Sequence, residues 1–216
     1  MSDAPFDLAV TDELLATTRA VRKRLDLGRA VPRSVLLECV ALAQQAPTGS
    51  NSQGWRFMIV DDAGVRKELA GLYKKAADAY LSLARARLDG NDKQTARVYD
   101  SAFWLVEHLA EAPVHVIPCL TGRAPDGPNI AGASYYGSIF PAVWSFQLAL
   151  RSRGLGSALT TLHLVHEREA AAVLGLDFDA VTQVALLPVG YTRGTDFKHA
   201  ARPSPETITW WNRGGG

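Results

Sequence analysis

Arg19, Arg22, Lys23 and Arg24 place four positive charges within the six residues Arg19-Ala20-Val21-Arg22-Lys23-Arg24. Charges that close repel one another, so an anion among them is welcome, and arginine grips a phosphate with two parallel N–H bonds. A solvated basic helix end, favoured by the helix dipole, accounts for the same pattern without a ligand. A second candidate is Pro47-Thr48-Gly49-Ser50-Asn51-Ser52-Gln53-Gly54-Trp55. Its glycines let backbone approach a ligand closely, and the amides of Asn51 and Gln53 offer donors and acceptors that suit the edge of a flat heterocycle. An ordinary polar turn has the same composition. In Arg153-Gly154-Leu155-Gly156-Ser157-Ala158-Leu159-Thr160-Thr161, small residues leave room for a ring to lie flat at a strand end. A helix cap followed by a tight turn is the plainer account. Lys198-His199-Ala200-Ala201-Arg202-Pro203 adds positive charge late in the chain, as a ligand contact or as a solvated linker.

Other chemistries lack their residues. There is no G-x-x-x-x-G-K-[ST] phosphate loop and no G-x-S-x-G nucleophile elbow. Gly154 and Gly156 begin a G-x-G-x-x-G run, but Leu159 stands where its last glycine belongs, and the run precedes a predicted strand instead of following one. His163, His166 and Glu167 lack metal-ligand spacing and a nearby cysteine pair, so a polar loop after a strand fits better than zinc. His115, inside an apolar run, reads as a core histidine. Cys39 and Cys119 read as buried reduced thiols.

The elements that must position these segments follow from periodicity and turn residues. Helices are expected over 11–24, from Pro32 to a stop at Pro47, over 65–89 with a break at Gly90-Asn91-Asp92, over 94–111, over 134–153 ended by Gly154, and over 167–174 closed by Gly175. Strands are expected at 55–60, 113–120, 157–162 and 181–190, with a loop at 121–132. This order is not a clean βαβ alternation. It predicts an α+β fold in one domain spanning 1–216, with a mixed, mostly antiparallel sheet flanked by helices on both faces. The formal net charge of +1 in 216 residues gives no sign of a nucleic-acid or membrane-surface partner. The N-terminus lacks a basic start and apolar run, and no apolar stretch nears ~20 residues, which predicts a cytoplasmic protein. The extended tail, 191–216, carries Ile208, Trp210 and Trp211, residues that a solvated terminus rarely shows; it is expected to pack on another subunit.

In this order and spacing, the four segments resemble the nitroreductase family of flavoproteins, and most of all actinobacterial members of similar length. The likeness rests on a basic R-x-x-R/K segment, P-[ST]-x-x-N-x-Q-x-W about 25 residues later, and a G-L-G-[ST] turn after a long central helix. A strand ending L-P-V-G-Y and a basic residue in the tail complete it. It covers roughly residues 12–211, and P-T-G-S-N-S-Q-G-W is its most specific part.

The resemblance implies an α+β sandwich, and a homodimer that exchanges terminal segments and binds FMN at the subunit interface. It places Arg19 and Arg202 on the FMN phosphate, Ala20 and Val21 beside the ribityl chain, and Arg22 or Lys23 at the N1/O2 edge of the flavin. There a positive charge stabilises the reduced ring. Asn51 would bond the ring or ribityl group, with Gln53 supporting its loop. Leu159, Thr160 and Thr161 would line the ring, one backbone N–H reaching N5. The family often has serine where Ala20 or Val21 stands, so one hydroxyl contact is lost. The implied reaction passes hydride from NAD(P)H through FMN to a nitroaromatic, quinone or similar flat acceptor by a ping-pong route. A flavin storage or sensing protein, and a relative that dehalogenates or consumes its ligand, are the alternatives. Residues 73–104 would form a lid, with Tyr80, Tyr99, Phe103 and Trp104 available to stack on substrate or simply to pack their helices.

Overall fold

In the apolar run Val114–Thr121 (β2), alternate residues serve opposite faces of a sheet. Val114, Val116 and Leu120 belong to one core and Ile117 and Cys119 to another. That is why the run reads as continuously apolar: both faces are covered. The molecule is a computed structural model that describes residues 5–86 and 92–214. β2 pairs antiparallel with Trp55–Val60 (β1), whose bounds match the expectation, from Trp55↔Leu120 to Val60↔His115. Leu155–Ser157 (β3), Val181–Gln183 (β4) and Leu187–Tyr191 (β5) complete a five-stranded sheet of order β1-β2-β5-β3, with β4 also on β2. Every strand pairing among the described residues is antiparallel.

Helices Arg33–Ala43 (α2) and Phe140–Ser152 (α6) supply one core, where Leu36, Ile139, Phe146 and Leu150 are fully buried. Helices Ala63–Ala86 (α3), Lys93–His108 (α4) and Glu167–Leu174 (α7) cover the other face, with Leu69, Leu105 and Leu109 fully buried. Each such side chain contributes roughly 1.5–3 kcal/mol. The architecture is therefore the expected α+β sandwich. Asp92 caps α4 by accepting from the Thr95 N–H at 2.9 Å, and Gly175 closes α7 at φ 67°. The expected helix end at 89 and break at Gly90-Asn91 lie outside the described residues. Among the described residues no helix is long and apolar enough to cross a membrane. Cys39 and Cys119 are buried free thiols.

Four expected boundaries need correction. The first helix (α1) is Leu8–Thr17, capped by Asp7 rather than by Thr11 or Asp12. Thr17 and Thr18 turn their hydroxyls back on the carbonyls of Glu13 and Leu14, and the chain leaves the helix before the basic run. The span expected as one helix over 134–153 is two, Asn129–Gly137 (α5) and α6. Pro141, in the first turn of α6, has no N–H to carry a helix through. Residues 158–162 are not strand: β3 ends at Ser157, and Leu162–His166 is a 3-10 turn. The strand expected over 181–190 breaks into β4 and β5. Val184, Ala185 and Leu186 stand opposite only Ile117 and Pro118, a bulge where Pro118 has no N–H for the ladder.

Candidate functional site

Once free of α1, the basic run lies against the edge of the sheet. Ala20 bridges Ser157 in parallel, and the Val21 N–H donates to the Ser157 carbonyl at 2.8 Å. The run is thus not a helix end: it is extended as far as Val21 and then turns, the Leu25 N–H donating to the Arg22 carbonyl at 3.0 Å. Gly156 is what admits it. A Cβ there would lie 2.8 Å from Val21 Cβ and from Thr192 Cγ2. The space that glycine leaves is filled by protein, so the G-L-G turn serves strand packing instead of making room for a ring. Gly154, at φ 75°, makes the turn out of α6.

Three adjoining depressions of about 400, 550 and 490 Å³ follow this segment, and Arg22 lines all of them. The first also takes Tyr73 from α3, Tyr99 from α4, and Leu159, Thr160 and Thr161. The others are lined by Arg19, Ala20 and Arg97, with Lys23 and Lys198 in one and Arg202 in the other. Of the expected site residues, Arg19, Ala20, Val21, Arg22, Lys23, Leu159, Thr160, Thr161 and Arg202 therefore share one continuous groove.

The cations of this groove are not equivalent. Lys23 pairs with Asp100 at 2.6 Å, and Arg24 with Asp196 at 2.5 Å. Among the described residues Arg19 donates only to carbonyls, those of Ala16, Thr18 and Lys198, and Arg202 only to that of Ala201. Arg22 is half-buried, and its partner among the described residues is neutral, Ser101 Oγ at 3.2 Å. Burial lowers its pKa from the usual arginine value, against a smaller rise from Tyr73. A desolvated guanidinium without a carboxylate favours a negative charge brought to it. Burial likewise raises the Tyr73 phenol above its ordinary value; its oxygen lies 3.0 Å from Thr160 Oγ1. Thr160 is pinned from behind, exchanging both backbone hydrogen bonds with Leu186 at 3.0 and 2.8 Å. Its N–H is thus committed, and any donor to a bound ring must be a neighbour's. The β4–β5 bulge is what turns Leu186 toward it.

Asn51 and Gln53 lie elsewhere. They line a separate depression with Gln44, Gln45, Ala46, Pro47 and Trp55. Gln53 Nε2 donates to Asn51 Oδ1 at 2.8 Å. Ser50, Asn51 and Gln53 all have positive φ, near 50°, in residues that rarely adopt it. Gly49 packs close: its N–H donates to Ser138 Oγ at 3.0 Å, and a Cβ would come within 3.1 Å of Ser134 Oγ. This loop is shaped at a cost and is not joined to the basic groove within one chain.

The aromatic lid divides as well. Tyr80 and Tyr99 line the first depression. Phe103 packs on the core, and Trp104 stacks on His108 with ring centroids 4.2 Å apart. Tyr73, Arg97 and Ser101 went unforeseen. Helical spacing from Tyr99 marks Ser101 as off its face, but nothing in the sequence pairs α4 with the basic run. His163 is not in a polar loop: it is fully buried, and neither ring nitrogen has a partner. His115 is fully buried too, hydrogen-bonded through Nε2 to the Leu109 carbonyl at 2.7 Å.

Comparison with known proteins gives this geometry a context. The Nitroreductase family matches residues 15–191. Iodotyrosine deiodinase of Thermotoga neapolitana is 27% identical over 183 residues, 84% of this chain and 87% of that protein. Protein DrgA of Synechocystis is 29% identical over 159 residues, 70% of this chain and 65% of its own length. A solved iodotyrosine deiodinase, bound to FMN and 3-iodo-L-tyrosine, superposes with a TM-score of 0.70 at 25% identity, covering 94% of this chain and 98% of that one. The FMN-dependent nitroreductase NfnB of Mycobacterium smegmatis, in complex with NADPH, has a TM-score of 0.67 at 18% identity over 96% and 100% of the two chains, and so shares the fold. With the family match running through both the basic segment and the last strand of the sheet, the chain belongs to the nitroreductase family.

Proposed function

We propose that this protein is an FMN-dependent oxidoreductase that works as a homodimer and uses NAD(P)H to reduce a nitroaromatic, quinone or similar flat acceptor. The observation that carries this is the convergence of Arg19, Arg22 and Arg202, all without a carboxylate partner among the described residues, beside the shelf formed by Leu159–Thr161. One end of the groove suits a phosphate and the other a flat ring. Arg19 and Arg202 would hold the phosphate, and the Ala20 and Val21 backbone would flank the ribityl chain. Arg22 fits the N1/O2 edge better than Lys23, whose charge Asp100 already answers. Tyr73 fixes Thr160 and so the shelf under the ring. Bound there, FMN supplies hydride transfer between the nicotinamide and the acceptor, one after the other at the same face.

Two features favour a homodimer. Asn51 and Gln53 sit on a shaped loop remote from their chain's own groove, which a partner's groove would employ. The tail exposes Ile208, Trp210 and Trp211 by 74%, 76% and 83%, and a partner subunit would cover them. A visible spectrum of the purified protein, followed anaerobically as NADPH and then NADH are added, tests the proposal. Flavin bands that bleach with either donor support a reductase and identify the donor. Bands that persist with both point to storage or sensing, and a colourless protein that takes up no FMN overturns the reading.

The likeness to iodotyrosine deiodinases at 27% and 25% identity supports a second reading, reductive dehalogenation of a halophenol. Iodide released from 3-iodo-L-tyrosine by the dithionite-reduced protein would favour it; reduction of a nitroarene without iodide release would exclude it.

A further inference from the structure

Helix α4 meets the basic groove with one face. Arg97, Asp100 and Ser101 stand at i, i+3 and i+4, the spacing that sets side chains next to one another. Asp100 takes Lys23 at 2.6 Å, and Ser101 takes Arg22 at 3.2 Å. The helix is therefore stapled to the basic segment at two successive positions. Arg97 makes no ion pair among the described residues, although it lines both depressions that Arg19 and Arg22 share. The depression that also reaches Arg202 is lined by four arginines and no acid. Like charges gathered in one concave site repel until an anion arrives, and each guanidinium can then offer a charge-assisted bond.

We infer that Arg97 is a third guanidinium for the phosphate of the cofactor, through which phosphate binding fixes helix α4 as one wall of the substrate cleft. The inference rests on the FMN reading above. Val98, Tyr99 and Ala102, on the same two turns of α4, line the ring-side cleft. The phosphate end of the cofactor thereby sets the position of residues that meet the acceptor at the other end.

The test is titration of the apo-protein with FMN and with riboflavin, read by quenching of flavin fluorescence. Riboflavin keeps the ring and ribityl chain and lacks the phosphate. Arg97→Ala is expected to weaken FMN binding about ten- to a hundredfold and to leave riboflavin binding unchanged. Arg97→Lys should recover part of the loss, because the charge returns without the fork. Lys93→Ala removes a charge from the same helix outside the groove and should change neither ligand. Unchanged FMN affinity in Arg97→Ala overturns the inference and leaves the FMN reading intact. Equal losses for FMN and riboflavin make Arg97 a structural residue and also overturn it. A wild-type protein that binds neither flavin overturns the FMN reading, and this inference with it.

Discussion

Arg22 and His163 hold charge and neutrality, respectively, where burial works against the charged form. Arg22 keeps a cation half-buried against a hydroxyl alone, so negative charge on a ring beside it is stabilised. Replacing it by glutamine should lower the two-electron midpoint potential of the bound flavin by on the order of 30–60 mV, whereas Lys23→Gln should shift it far less. Equal shifts in a dye-equilibrated reductive titration would refute the difference. His163 is buried with both ring nitrogens unpartnered, and desolvation pushes its pKa down to about 4, opposed by Glu167 and reinforced by His115. His115 is pushed down to about 4 by burial as well. A histidine whose folded pKa lies below its unfolded value contributes nothing to pH dependence above the unfolded pKa, near 6.5. As pH falls from there toward 4, the unfolded chain takes up a proton that the folded chain refuses, and stability is lost. For His163 the loss at pH 5 amounts to about 2 kcal/mol. His163→Leu removes no hydrogen bond among the described residues and should remove its share of this acid limb, leaving that of His115. Urea midpoints at pH 7 and pH 5 would show it, and an unchanged pH slope would exclude it.

At the scale of elements, the groove depends on two accommodations in the sheet. Gly156 lets the basic segment close on β3, and the bulge opposite Pro118 lets Leu186 hold Thr160. Gly156→Ala should destabilise the fold by about 1–3 kcal/mol through overpacking against Val21 and Thr192. It should also weaken FMN binding, because Arg19 and Arg22 ride on the displaced segment. Thermal melts of the apo-protein and flavin titrations measure the two effects, and a loss of stability without a loss of affinity would separate the glycine from the site. These accommodations also mark where the sequence stops being legible. β1, β2 and α7 announce themselves through apolar runs and a glycine stop, since local propensity and burial agree there. The break between α5 and α6 was written in Pro141 but masked by the apolar run around it. The end of α1 was hidden because Arg19 to Arg24 suits a helix end as well as an extended edge; tertiary pairing with Ser157 decides between them. In the same way, the basic run, the Leu159–Thr161 turn and Arg202 could be recognised as ligand-seeking from their types. That α4 lies across them, with Arg97 and Ser101 lining the basic depressions, is a matter of packing that no local pattern encodes.

At the scale of the molecule, one chain presents two candidate surfaces with separate linings. The basic groove and the Asn51–Gln53 loop do not meet within it. If the site is shared, co-expressed Arg19→Ala and Asn51→Ala chains should form mixed dimers in which one site carries both lesions and the other none. Such dimers should bind about one flavin per two chains with wild-type affinity, a stoichiometry set by symmetry alone. If every site of the mixed dimer is impaired, each chain builds its own site. Removal of residues 204–216, with Ile208, Trp210 and Trp211, should shift the protein toward monomer in sedimentation velocity. A site shared in this way would have a consequence for handling and for the cell. Occupancy would then be a second-order property: a freshly made chain at low abundance would hold only half of a grip on the flavin, and the other half would arrive by collision. Diluting the holoprotein should release flavin in step with dissociation of the dimer, so that an activity assay at nanomolar protein would report assembly as much as catalysis.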